Sequence, residues 1–144
     1  MTDEEKLDEK EAVKRLNAAL RLQYRSALQH SIVASSLTGI EAQALSTKLT
    51  EFGDSELADA RRLIEKIVSF GGMPTTEVAE LNFEKETESA IRSLVECEEA
   101  AVEALQEAIE PTGREGRSEA LEHLMEHLIL RKQHQVDFLN RAIS

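Results

Sequence analysis

The chain has 144 residues, enough for a single domain, 1–144, and not for two. Its 17 Lys and Arg against 28 Asp and Glu give a formal net charge of −11, which argues against nucleic acid or an anionic membrane as partner. Only 3% of residues are aromatic, and six glycines and two prolines supply few turns, so a sandwich or barrel is excluded and an all-α chain is expected.

Four long helical segments are expected. The first runs from about Asp3 to Ser36, opened by Thr2 and Glu5 at capping-box spacing and closed near Gly39. The second runs from about Glu41 to Phe70 and stops at Gly71-Gly72-Met73-Pro74. The third runs from about Glu84 to Glu110 and stops at Pro111-Thr112-Gly113. The fourth runs from about Arg117 to Ala142. Each carries an apolar stripe at steps of three and four, the mark of a helix with one buried face. The stripes are Leu16, Leu20, Ala27 and Ala34; Leu45, Leu49, Phe52, Leu63 and Phe70; Ile91, Leu94, Ala101 and Leu105; and Met125, Leu128, Leu139 and Ala142, with Ile129, Val136 and Ile143 beside the last. Four such stripes make a four-helix bundle.

The connections set the topology. Short links make helices one and two antiparallel neighbours, and likewise three and four. Gly71 to Phe83 separates the two hairpins. Those residues, extended, reach about 43 Å, and a helix of this length spans about 42 Å. One long crossover along the bundle is therefore expected. No apolar run approaches the roughly 18 residues of a membrane span. The acidic start, MTDEEKLDEKEAVKR, is not a secretory signal, so a cytoplasmic location is expected. The single cysteine, Cys97, permits no internal disulfide and is expected to pack as a small apolar residue.

What interrupts the stripes carries the chemistry. The register that buries Leu16 and Leu20 also buries Gln23 and His30. Glu56 and Asp59 fall between Phe52 and Leu63, Glu98 between Leu94 and Ala101, and Lys132 and Gln135 between Leu128 and Leu139. All lie near mid-helix and are expected at one level of the core. A buried carboxylate costs several kcal/mol unless it is paired or bound to a cation, so this layer requires partners.

Several stretches carry a family likeness: Leu16-Asn17-Ala18-Ala19-Leu20; Ala60-Arg61-Arg62-Leu63-Ile64-Glu65-Lys66-Ile67 followed by Gly72-Met73-Pro74; Leu105-Gln106-Glu107-Ala108-Ile109; and Asp137-Phe138-Leu139. Over roughly residues 12–143 the chain resembles bacterioferritin. The resemblance implies a ferritin-like bundle, a di-iron ferroxidase centre and iron as cargo. The family's metal ligands are a Glu on each of two helices and a Glu-x-x-His on each of the other two. Carried over, they fall on Gln23, on Glu56 and Asp59, on Glu98, and on helix four in one of two registers. One register uses Lys132 and Gln135; the other uses Arg131 and His134. The first is favoured because it buries Leu128, Val136, Leu139 and Ile143.

The candidate metal-ligating residues are therefore Gln23, Glu56, Asp59, Glu98 and Gln135, with both family imidazoles and one bridging carboxylate missing. Iron is possible as a weak ligand. Haem is not expected, because Leu57 stands where the resemblance puts the haem-ligating Met. The family's short fifth helix has no counterpart before Ser144. The resemblance favours a homodimer through the flank of helices one and two, and a larger cage or mixed assembly is open. The expectation is a kept bundle with its ferroxidase activity lost. The alternatives are a metal-free dimeric scaffold and a divergent di-metal oxidase in which His30 or His134 substitutes as ligand. His123 and His127 have metal-binding spacing but lie off the buried seam, and are expected at the surface.

Overall fold

The computed structural model describes residues 7–40, 42–109 and 116–144. Its helices are α1 (Glu9–Ser36), α2 (Ala42–Ser69), α3 (Thr87–Ile109) and α4 (Gly116–Ala142). The first helix starts later than expected. Asp8 is its N-cap, and the Asp8 carboxylate accepts from the Glu11 backbone N–H at 3.1 Å. That bond satisfies one of the orphan donors of the first turn, and Glu9 and Glu11 add favourable charge at the dipole's positive end. The capping box at Thr2 and Glu5 and the terminator at Pro111-Thr112-Gly113 lie outside the described residues. The third helix begins at Thr87 rather than Glu84.

The end of α2 shows why the Gly-Gly pair terminates it. Gly71 takes φ 77°, a left-handed conformation that a side chain would strain. The Gly71 N–H donates to the Val68 carbonyl at 2.9 Å and the Gly72 N–H to the Ile67 carbonyl at 2.9 Å. This is a Schellman closure, which satisfies two carbonyls of the last turn. A Cβ on Gly72 would stand 2.5 Å from a methyl of Val13, so the second glycine lets the turn press against α1.

The crossover, residues 70–86, then runs beside α1. Asn17 binds it twice, donating to the Met73 carbonyl at 3.0 Å and accepting from the Thr75 N–H at 2.8 Å. The Tyr24 hydroxyl donates to the Thr75 carbonyl at 2.9 Å. Gln29 and Asn82 exchange two bonds, at 2.7 and 3.2 Å. Side-chain amides on α1 thus satisfy the backbone of an extended segment that has no strand partner. The order of these contacts shows the crossover travelling in the direction of α1, which leaves α2 and α3 parallel to each other. Helix α1 packs against α2 and α3, and α3 against α4.

The core has two apolar parts. One contains Leu16, Leu20, Leu63, Leu105, Met125 and Leu128. The other contains Val33, Leu49, Ile91, Leu94, Val136 and Leu139. Between them in every helix lies a polar segment, so the bundle is apolar at both ends and charged at its middle. One expected stripe residue is not in the core: Ala142, the last residue of α4, is exposed. Among the described residues no helix is long and apolar enough to cross a membrane.

Candidate metal centre

The middle layer brings together Gln23 and His30 from α1, Glu56 and Asp59 from α2, Glu98 from α3, and Lys132 and Gln135 from α4, all buried. Each occupies the inward position of its helix because its neighbours at three and four residues are core. The helix-four register follows from the same contacts. Lys132 and Gln135 are buried with Leu128, Val136 and Leu139, while His134 is exposed.

Lys132 is the hub. Its Nζ donates to Glu56 Oε2 at 2.5 Å and to Glu98 Oε2 at 3.1 Å, joining α4 to α2 and α3. Glu56 is saturated from three further sides. Gln23 Nε2 donates to Glu56 Oε2 at 2.5 Å, Gln135 Nε2 to Oε1 at 3.0 Å, and Arg131 to Oε1 at 3.3 Å. Gln23 Nε2 also meets the Glu56 backbone carbonyl at 2.7 Å.

Asp59 belongs to a second pair. Arg131 Nε donates to Asp59 Oδ2 at 2.7 Å, and a second Arg131 nitrogen reaches the same oxygen. Arg62 covers the other oxygen, Oδ1, at 2.8 Å. Arg131 also binds Gln135 Oε1. Its side chain is 24% exposed, so it closes the layer toward solvent. Both cations of the Arg131-Lys132 pair therefore enter the site, whereas each sequence register places only one of them at the bridging position. The available signal was a length argument: Arg131 sits at the edge of the buried face, and a guanidinium reaches around that edge. Arg62, one turn after Asp59, was missed for the same reason.

The titrations follow from this wiring. Burial pushes the Glu56 carboxyl up, but Lys132, Arg131 and His30 outweigh it and hold the pKa down at about 2. Burial raises Glu98, Lys132 draws it back, and the neighbouring Glu56 charge adds to the rise, leaving it at about 8. Burial also raises Asp59, against the pull of Arg131. Burial disfavours the Lys132 ammonium, yet Glu98 and Glu56 more than offset this and raise its pKa. Three acids (Glu56, Asp59, Glu98) thus face Lys132, Arg131 and, at the solvent edge, Arg62, and Glu98 is the carboxyl whose charged form burial disfavours most.

His30 is neutral, its pKa lowered chiefly by burial. Its Nδ1 lies 2.8 Å from the Ser26 carbonyl, which can only accept, so Nδ1 carries the proton. The same nitrogen lies 3.8 Å from Glu98 Oε1. Among the described residues, Gln23 Oε1, His30 Nε2 and Glu98 Oε1 are buried without a hydrogen-bond partner, and no group of three or more His, Cys, Asp and Glu side chains is arranged to hold a metal ion. Cys97 is buried and its thiol is pushed up by burial, the behaviour of a packed residue. His123 and His127 are exposed on α4, away from the layer.

Comparison with known proteins decides the family. The family model described as Ferritin, a ferritin-like domain, matches residues 13–144. The chain belongs to the ferritin-like domain family. No curated protein matches it significantly in sequence. Among solved structures it is similar to a ferritin-like, diiron-carboxylate protein from Bacillus anthracis, with TM-score 0.87, 22% identity and 100% of each chain covered. It is also similar to Rhodobacter capsulatus bacterioferritin, described with a metal-free dinuclear site and haem iron, at TM-score 0.84 and 22% identity over 92% of this chain and 83% of that one. A dodecameric thioferritin, the bacterioferritin-related protein of Bacteroides fragilis, gives TM-score 0.84 and 19% identity over 94% and 86%. The all-α ferritin-like bundle with one long crossover is the fold expected from the sequence, and these likenesses agree with it.

Proposed function

We propose that this chain is a ferroxidase-inactive subunit of the ferritin family, a bundle kept for assembly whose metal layer has been converted into internal ion pairs. One observation carries the reading: Lys132 Nζ stands between Glu56 and Glu98, at 2.5 and 3.1 Å. Oxidation of Fe(II) at a dinuclear site needs two close metals with open coordination positions. Here a fixed ammonium holds the oxygens that face each other, both Asp59 oxygens take guanidinium protons, and the remaining inward groups are neutral amides and the His30 imidazole, whose Nδ1 is taken by the Ser26 carbonyl. The donor set therefore does not fit a di-iron centre, and no catalytic step is assigned through one.

Iron enters this reading only as cargo of an assembly, by family likeness. A homodimer is favoured by one surface feature. Leu28, Leu57 and Val78 are exposed together beside Tyr24 and Ala27, in an apolar groove of about 280 Å³ between α1, α2 and the crossover. A second copy of the chain is the occupant proposed for it. Leu57 offers no atom that ligates haem iron.

Anaerobic Fe(II) addition followed by air tests the reading, with elemental analysis and light scattering on the same samples. The expected result is a dimer or larger homo-oligomer that gains no stoichiometric iron and oxidises Fe(II) no faster than buffer. About two irons per chain with protein-dependent oxidation would overturn it.

A further inference from the structure

Outside the mid-bundle layer, we propose that the cavity between α1, the crossover and α3 binds a small α-amino acid, its carboxylate on Arg25 and its ammonium toward Glu80 and Glu96. The cavity measures about 250 Å³ and is lined by Arg25, Glu80, Asn82, Ser93, Glu96 and Cys97. Its frame is held in place. Gln29 on α1 exchanges two hydrogen bonds with the Asn82 backbone, at 2.7 and 3.2 Å, and Ser93 donates to the Ala90 carbonyl at 2.7 Å. Arg25 is the unanswered group. It forms no hydrogen bond or ion pair among the described residues, and its Nε is buried without an acceptor. A guanidinium carries five N–H donors, and a buried donor on a charged group is costly to leave unpaired. Two carboxylates line the same cavity, yet neither pairs with it.

The charges and the volume select the ligand. A guanidinium is suited to a carboxylate, which it binds through two parallel N–H bonds. A simple anion would meet that guanidinium but also two exposed glutamates, Glu80 and Glu96, which repel it. A simple amine would satisfy the glutamates and leave Arg25 as it is. A molecule carrying both charges on neighbouring atoms answers both. The volume lies below the range of about 300–1,000 Å³ that accepts drug-sized ligands, so the molecule is small. Ser93 and Cys97 are buried, short side chains, which leaves space for a short side chain on the ligand.

The test is a nuclear magnetic resonance titration of the ¹⁵N-labelled full chain with L-alanine, and separately with acetate and ethylamine, which each carry one of its two charges. L-Alanine is expected to shift the backbone amide signals of Arg25, Asn82, Ser93 and Cys97 along one saturable curve, with a Kd of about 1 mM or tighter. Acetate and ethylamine are each expected to bind at least about tenfold more weakly. Arg25→Met is expected to weaken L-alanine binding by about tenfold or more, and Arg25→Lys by less, since an ammonium keeps the charge and loses the fork. Glu80→Gln with Glu96→Gln is expected to weaken L-alanine and strengthen acetate. The absence of a saturable shift with L-alanine overturns the proposal. Acetate binding as tight as L-alanine in the wild-type chain overturns the amino-acid assignment, and an Arg25→Met chain that melts like wild type and binds L-alanine equally well overturns the role of Arg25. If Arg25→Met does not fold, Arg25→Lys carries that arm, and an unchanged Kd overturns the proposal. None of these outcomes bears on the inactive-subunit reading, which concerns the other side of α3.

Discussion

The raised pKa of Glu98 gives the layer a pH dependence that one substitution should remove. In the folded chain the Glu98 pKa is raised from 4.5 to about 8. The folded state therefore holds a proton that the unfolded chain releases above pH 4.5. Over that window the folded state binds more protons, so stability falls as pH rises. The limiting slope is about 1.4 kcal/mol per pH unit, and the span from 4.5 to 8 gives at most about 5 kcal/mol. The opposite shift of Glu56, down to about 2, stabilises fully above pH 4.5 and is lost only toward pH 2. It does not interfere above pH 4.5.

Glu98→Gln copies the shape of the protonated acid and cannot ionise. Gln accepts from Lys132 as Glu98 does, and no other charge in the layer is changed. The variant should match wild type within about 1 kcal/mol near pH 4.5, less any change in hydrogen bonding. It should exceed wild type by a few kcal/mol near pH 8. Urea unfolding followed by far-UV circular dichroism between these limits reads both curves. Parallel slopes for the two chains, or a variant weaker than wild type at the alkaline end, would refute a neutral Glu98.

Lys132→Met should lower stability at neutral pH by about 3–5 kcal/mol, because Glu56 loses its nearest buried cation; the deficit should shrink in acid as the carboxylates protonate, and equal melting at pH 7 would reject the pairing. Arg131→Met and Asp59→Asn should each destabilise, and their double-mutant cycle should give a coupling of about 1–3 kcal/mol, since Arg131 binds Asp59 through two nitrogens; additive effects would show the contact to be idle. Leu57→Glu should leave the melting temperature nearly unchanged but convert the homo-oligomer to smaller species in light scattering, because Leu57 is exposed in the apolar groove; an unchanged mass would move the interface elsewhere. Gly72→Ala should cost more than a surface Gly→Ala change, because the new methyl would meet Val13 at 2.5 Å; truncating Val13 to Ala should recover part of the loss measured by urea unfolding.

The parts of this molecule that read directly from sequence are those governed by periodicity. Helix identity, the four stripes and the crossover follow from steps of three and four and from the Gly71-Gly72 break, because those features repeat over many residues. The same periodicity placed Gln23, His30, Glu56, Asp59, Glu98, Lys132 and Gln135 at one buried level, where the structure has them. It fails where side-chain length matters more than position. Arg131 and Arg62 begin outside the buried face and end on Asp59; no stripe marks them, since a stripe records Cβ direction and not reach. It also fails at the ends. Asp8, not a residue nearer the start, caps α1, and Ala142, at the last position of α4, is exposed.

The charge balance of the layer lies beyond any pattern, because it depends on how many cations arrive. One ammonium against Glu56, Asp59 and Glu98 would leave the layer two charges short. Arg131 supplies the second cation and Arg62 a third at the solvent edge, while burial raises the Glu98 pKa. Lys132, Arg131 and Arg62 together face the three acids, so side chains supply the counter-charge, and two of those three cations are arginines that periodicity alone assigns to the edge of the buried face.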